Sequence, residues 1–461
     1  MTAAVVPTAA DPSGGVVAGG AVAPRPGMGA LRRPRQPALV EEELTGGLHL
    51  IALRRPSVPL VEIRFAFPLS GRQVREPAAA YVLSSAMFAG TRRYDREGLA
   101  EAVERLGGGV GAGVSSDRIE VYAYALAVHL PELLELLGEI LTSATYPRDE
   151  VEADRARKAD EVVLALSRPE VVANEALARR LYGDHPYATP MPRPDSILGI
   201  ETPALRRLHR SALEPSAAHL VVVGDVGTAR VARQAEQALG DWLGSARASR
   251  ALLAAVPPLR PGGIELVDRP GAVQSNLRLG GPGPARAEED WPGTALANEI
   301  LGGMFTSRLV ENLREKNGYT YSPHAGIRHA RAGSTFTVTA EVGTEVTAAA
   351  LVETRYELGR IATTGVTDEE LEAARRYAAG SFLVRTATQG GLASTLAAFA
   401  VTGTSPGYLV EFPARIAKTT KSEVDEAARR YFAPGRLATV VVGDGSKVRD
   451  SLEGLDEVTD A

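Results

Sequence analysis

Two stretches of the chain alternate apolar and polar residues with the period of a strand that buries one face. Val61, Ile63, Phe65 and Phe67 are interleaved with Glu62, Arg64 and Ala66, and Phe336, Val338, Ala340 and Val342 with Thr337, Thr339 and Glu341. Residues 48–53 and 119–128 read as further strands. Between them a helix is predicted from Pro77, because proline is tolerated in a first helical turn. A second runs from Asp95 as its N-cap to Gly107 as its stop. The apolar spacing then predicts helices over 131–143 and 149–166, with more helix to about Leu213. The second half gives a strand near 273–279 and helices near 294–301, 307–316, 346–363, 368–383 and 421–432. Strands arrive as adjacent runs separated by pairs of helices. That order predicts an α+β fold with helices packed on largely antiparallel sheets, not a doubly wound parallel sheet.

The pattern is also written twice. His219-Leu220-Val221-Val222-Val223-Gly224-Asp225 is echoed by Ala438-Thr439-Val440-Val441-Val442-Gly443-Asp444, with Gly443 following Gly224 by 219 positions. Asp149-Glu150-Val151-Glu152 is echoed by Glu369-Glu370-Leu371-Glu372 at an offset of 220. Two echoes at nearly one offset indicate a duplicated domain. The expected organisation is therefore an Ala/Pro/Gly-rich tail over 1–38 that packs little and is read as disordered. A first domain over 39–243, a linker over 244–263, a second domain over 264–446 and an acidic tail over 447–461 follow.

Composition narrows the chemistry. The net charge of −5 and the absence of a basic stripe argue against nucleic acid as the main partner. No run reaches the roughly 18 apolar residues of a membrane helix. With no cysteine in 461 residues, disulfides, thiolate nucleophiles and Cys-zinc sites are excluded. That usage fits a reducing cytoplasm, which is the expected location. The opening residues make a poor signal peptide, since they lack a continuous apolar core behind a basic start.

The helix from Pro77 places Tyr81, Ser84, Ser85 and Phe88 on one face. The segment Tyr81-Val82-Leu83-Ser84-Ser85-Ala86-Met87-Phe88-Ala89-Gly90-Thr91 resembles the inverted zinc motif of the insulinase and mitochondrial-processing-peptidase family of metallopeptidases (M16). In catalytic members the segment reads His-x-x-Glu-His, then a short apolar piece, then Gly-Thr. The histidines bind zinc and the glutamate acts as general base on the metal-bound water. Here Tyr81 and Ser85 stand at the histidine positions and Ser84 at the glutamate. Neutral hydroxyls are poor substitutes for imidazole at zinc, and serine cannot accept a proton near neutral pH as a carboxylate does. The family's third ligand, a glutamate about 76 residues beyond the second histidine, falls on Glu161. One carboxylate does not hold a catalytic zinc. As plain residues, Glu161 reads as a solvated helix carboxylate and Tyr81, Ser84 and Ser85 as an ordinary polar face. The resemblance extends from about residue 39 to 446 and includes Asp184-His185-Pro186-Tyr187, where His185 reads as structural.

The second half keeps more. Gly302 and Gly303 form a glycine turn ahead of Arg314 and Tyr321, seven positions apart. This is similar to the family's glycine turn and its Arg…Tyr pair. The resemblance implies that Arg314 and Tyr321 bind substrate and meet the oxyanion that builds on a peptide carbonyl, for which a guanidinium and a phenol are suitable donors. Asn317-Gly318 supplies a turn able to bring the two together. Read alone, they are a surface arginine and a core tyrosine. Together these features imply a subunit with no intact catalytic residues and no metal or other cofactor of its own. Its implied partner is a homologous zinc-bearing subunit with which it shares a peptide substrate; neither nucleic acid nor membrane is expected. Two alternatives stand beside this: a catalytically silent scaffold of the same fold, and an independent non-zinc hydrolase using Ser405 or the Ser84-Ser85 pair. For the latter, Gly403-Thr404-Ser405-Pro406-Gly407 matches G-x-S-x-G, but helix precedes it and proline follows the serine, so a loop is expected. The glycines of 107–113 follow a helix, which weakens a dinucleotide reading. The cluster Arg155, Arg157 and Lys158 alternates with acids and reads as a solvated helix face.

Overall fold

The computed structural model describes residues 37–247 and 252–461. The tail expected over 1–38 lies, but for its last two residues, outside them. The described chain forms two six-stranded sheets. The first is built from β1 (Leu39–Glu43), β2 (His49–Arg54), β3 (Leu60–Pro68), β4 (Gly109–Val114), β5 (Arg118–Leu126) and β6 (His219–Gly224), in the order β1-β2-β6-β3-β5-β4. The second is built from β7 (Ile264–Asp268), β8 (Gln274–Gly283), β9 (His324–Ala330), β10 (Gly333–Gly343), β11 (Ala438–Gly443) and β12 (Val458–Asp460), in the order β12-β7-β11-β8-β10-β9. The five strands β2–β6 recur as β7–β11 with the same neighbours. β2–β6 and β7–β11 pair in parallel, while the ladders of β3 with β5 and β6 and of β8 with β10 and β11 are antiparallel. The α+β duplication expected from the pattern is what the chain adopts.

The halves differ at one edge. β1 is antiparallel to β2, whereas β12 comes from the acidic C-terminal segment and runs parallel to β7. Residues 447–461 therefore carry ordered structure: the helix Gly445–Glu453 and this edge strand.

The closing strands explain how the halves hold together. In β6, Leu220, Val221, Val222 and Val223 are all buried, and β2 is buried at Leu50, Ile51, Ala52 and Leu53. Side chains alternate between faces, so a continuous buried run requires both faces to be covered. Leu50, Ala52, Leu220 and Val222 pack into the core of their own half. Ile51, Leu53, Val221 and Val223 instead join the core of the other half. The cover is a helix from the sister half. Gln389–Val401 lies on β3 and β6, and Pro169–Tyr182 lies on β8 and β11. The exchange is reciprocal in its polar contacts as well. Arg64 of β3 donates from Nε to Ser394 Oγ at 3.2 Å, and Arg278 of β8 donates from Nε to Asn174 Oδ1 at 3.1 Å. Close approach requires Gly280 in β8, where an added Cβ would meet the Leu177 and Leu181 methyls at 3.2–3.3 Å.

Where β2 and β6 begin, His49 and His219 face each other with Nδ1 atoms 3.1 Å apart. Burial, with smaller contributions from His49 and Arg331, lowers the His219 pKa to about 4. Its folded pKa lies below the unfolded value of about 6.5, so the unfolded chain binds the extra proton between the two. Its contribution is fully present above pH ~6.5 and falls away towards pH 4, by about 3 kcal/mol at about 1.4 kcal/mol per unit. Urea denaturation should show His219→Gln gaining about that much on the wild type between pH 7 and pH 4. Parallel pH curves would refute the assignment.

Candidate functional site

The helix Pro77–Ala86 begins with proline at its first position and buries Ala78, Ala80, Val82, Leu83 and Ala86. Its polar residues turn inward on the helix itself. Ser84 Oγ donates to the Tyr81 carbonyl at 2.8 Å, and Ser85 Oγ donates to the Val82 carbonyl at 3.2 Å. Both hydroxyl protons are thereby committed to backbone. Tyr81 projects into a cavity of about 340 Å³ shared with Gln73, Val114, Asn174 and Glu175. Burial, and secondarily the Glu175 carboxylate, raise its pKa, so the phenol stays protonated.

Glu161 sits on the helix Arg148–Leu166, which packs against Pro77–Ala86. Its exposed carboxylate accepts from Lys158 Nζ at 2.8 Å. Among the described residues no three His, Cys, Asp or Glu side chains gather where they could hold a metal ion. The donor set at the motif positions, a phenol and two aliphatic hydroxyls, does not fit the imidazole and carboxylate chemistry of a catalytic zinc. His185 has a structural task. Its Nδ1 accepts from the Tyr187 amide at 3.1 Å, and its Nε2 donates to the Ala254 carbonyl at 2.9 Å. Ser405 lies in the loop between the helices Gln389–Val401 and Tyr408–Lys418, and its Oγ accepts from the Gly407 amide at 3.2 Å.

Beside the Tyr81 helix runs β4, a strand that pattern analysis did not find. Its glycines face tyrosines across the ladder, Gly109 opposite Tyr124 and Gly111 opposite Tyr122. A Cβ at Gly111 would lie 2.4 Å from Tyr122 Oη, so the ring occupies the space a side chain would take. β4 ends its sheet, and among the described residues no strand pairs with its outer edge.

In the second half, the segments Glu299–Gly303 and Val310–Lys316 are wide π-type turns, where ordinary α-helix was expected. Such widening recurs at functional sites. Gly302 is obligatory: a Cβ there would come within 2.7 Å of the Ala325 amide nitrogen. The last wide turn ends at Asn317-Gly318, with Gly318 in the left-handed region at φ 64°. The Gly318 amide donates to the Arg314 carbonyl at 3.1 Å and the Tyr319 amide to the Leu313 carbonyl at 2.8 Å. This reversal brings the two residues together. The Arg314 guanidinium stacks 4.5 Å from the Tyr321 ring centroid and 5.0 Å from that of Phe305, and Nε pairs with Glu315 at 3.2 Å. Tyr321 is 78% exposed and Phe305 68% exposed. Tyr321 is thus a surface residue, not the core tyrosine of the simplest reading. Phe305 escaped sequence reasoning; its only signal is an aromatic residue directly after the glycine turn. No hydrogen bond, ion pair or ring contact among the described residues joins Arg314 or Tyr321 to Tyr81, Ser84 or Ser85.

Comparison with known proteins places these features in context. Residues 75–195 match the family model described as insulinase (peptidase family M16), and residues 200–377 match that described as peptidase M16 inactive domain. An uncharacterized zinc protease of Streptomyces coelicolor is 26% identical over 420 residues, covering 87% of each chain. One from Mycobacterium tuberculosis is 23% identical over 426 residues, covering 90% of this chain and 97% of its own. Among solved structures, a peptidase M16 inactive domain from Pseudomonas fluorescens superposes with a TM-score of 0.80 at 23% identity, covering 88% of this chain and 97% of that one. A protease from Helicobacter pylori gives 0.78 at 20% identity, covering 88% and 99%.

Proposed function

We propose that this chain, which belongs to the insulinase family of peptidases (M16), is the zinc-free member of a two-subunit peptidase. It completes the peptide cleft and offers Arg314 and Tyr321 to a homologous, zinc-bearing partner. One contrast carries the reading. The face of Pro77–Ala86 spends both serine hydroxyls on its own backbone, while a shaped turn presents a guanidinium stacked on an exposed phenol. The first arrangement supplies neither ligand nor base. The second supplies hydrogen-bond donors for a carbonyl oxygen that gains charge. Peptide in extended form suits the open edge of β4, where backbone groups can add it as a further strand. The zinc belongs to the partner, and the cysteine-free chain suits a reducing cytoplasm.

The test is reconstitution. The purified chain is incubated with zinc, bound metal is measured by atomic absorption, and a quenched peptide is assayed alone and with a homologous chain that has an intact His-x-x-Glu-His. Little bound zinc, no cleavage alone and cleavage that rises on mixing are expected. Stoichiometric zinc with robust cleavage by this chain alone would overturn the proposal.

A further inference from the structure

The second half contains a cavity that the peptidase reading leaves idle. It measures about 340 Å³, at the small end of ligand sites. It lies between the helix Trp291–Asn298, its wide-turn continuation Glu299–Gly303, the edge strand β9 and the helix Asp368–Arg385. Four of its lining side chains carry buried polar atoms with no hydrogen-bond partner among the described residues: Arg286 Nε, Trp291 Nε1, His329 Nε2 and Asn298 Oδ1. Trp291 is 7% exposed and Asn298 8%. Native proteins leave few such groups unpaired, and each calls for a cause. Four in one cavity point to something that pairs with them.

Their chemistry is divided. The Arg286 guanidinium lies 5.7 Å from the Trp291 ring centroid, and the His329 ring meets that indole edge-on at 4.4 Å. His329 Nδ1 is engaged with Ser334 Oγ at 2.8 Å. When Nδ1 accepts that hydroxyl proton, Nε2 carries a proton, and three unpaired N–H donors belong to residues lining this one cavity. Such a corner suits a carboxylate, since charge-assisted hydrogen bonds to guanidinium are the strong ones.

Asn298 Oδ1 and the Glu299 carboxylate supply the acceptors. Glu299 lies over Gly303, where an added Cβ would fall 2.3 Å from Oε2. Burial raises the Glu299 pKa to about 7, against the pull of Arg385, so a neighbouring cation would favour its charged form. The remaining wall is mixed: Ile327, Phe382 and Phe412 offer an apolar patch, beside the polar His324, Ser381 and Arg385.

We infer that this cavity binds a free α-amino acid with an apolar side chain, its carboxylate on Arg286, Trp291 and His329 and its ammonium on Asn298 and Glu299. The full chain is titrated by calorimetry with L-leucine, with isocaproate, which lacks the amino group, and with isoamylamine, which lacks the carboxylate. Leucine should bind, isocaproate about tenfold more weakly, and isoamylamine not measurably. Trp291→Phe keeps an aromatic ring, though a smaller one, and removes the N–H, and should weaken leucine about tenfold. Glu299→Gln should bring leucine down to the affinity of isocaproate while leaving isocaproate unchanged, so the inference survives a misfolded tryptophan variant. No heat with leucine would overturn it. So would isoamylamine binding as well as leucine, or a folded Trp291→Phe variant with unaltered affinity.

Discussion

Arg314→Ala is expected to lower kcat/KM of the reconstituted pair by roughly a hundredfold, about 3 kcal/mol, the usual effect of removing one oxyanion donor. The fold should not notice. Arg314 touches Phe305, Tyr321 and Glu315, all largely exposed, and its last-turn position depends on backbone bonds that the substitution keeps. Tyr321→Phe retains the stacked ring and loses only the hydroxyl, so a smaller fall of about tenfold is expected, close to one hydrogen bond. Arg314→Lys should recover little, because an ammonium replaces the planar fork and stacks poorly. The readout is turnover of a quenched peptide at saturating partner. Unchanged turnover in Arg314→Ala, with complex formation intact, would leave the silent scaffold as the better account.

The second large effect is on stability. Asp117 is 0% exposed, and its carboxylate accepts from Tyr187 Oη at 2.6 Å, the Arg331 amide at 3.0 Å and Arg118 Nη1 at 3.4 Å. Tyr187 Oη in turn accepts from the Ala332 amide at 3.0 Å, and Arg331 Nη1 donates to the Leu69 carbonyl at 2.8 Å. This knot ties the β4–β5 turn of the first half to the β9–β10 turn of the second. Burial foremost, and then Asp117, push the Tyr187 pKa well above its ordinary value, keeping the hydroxyl a donor. Asp117→Ala strips three donors of their acceptor and is expected to cost about 3–5 kcal/mol in urea denaturation, as for a broken buried ionic contact. Asp117→Asn keeps an acceptor and should cost less, about 1–2 kcal/mol. A loss below 1 kcal/mol for alanine would mean that the knot contributes nothing to joining the halves.

The sequence made some of this legible and hid the rest for physical reasons. β3 and β10 were visible because each buries one face, which writes a period of two. The capped helix from Asp95 was equally clear, and it runs from Arg96 to Arg105 with Asp95 Oδ1 accepting from the Gly98 amide. β4 was not, since its alternate glycines have low strand propensity and its stability comes from tyrosines on β5. The helix Gln389–Val401 was legible only as helix ahead of the Gly403–Gly407 loop, without bounds or a buried face, because it is apolar nearly all round, as a helix wedged between two layers must be, and no stripe stands out. At the site, the two missing imidazoles and the missing carboxylate could be read from three letters. The return of Ser84 and Ser85 to their own carbonyls could not, because it depends on rotamers. The stacking of Phe305 on Arg314 depends on a wide turn that periodicity does not encode.

The crossed helices carry a historical consequence. A half-length ancestor folded as either half is today would have exposed a bare apolar sheet face and a helix with nowhere to dock. Two copies of it lend each other that helix. The present polypeptide therefore behaves as a dimer of its own halves held in one chain, in which neither half has a complete core without the other.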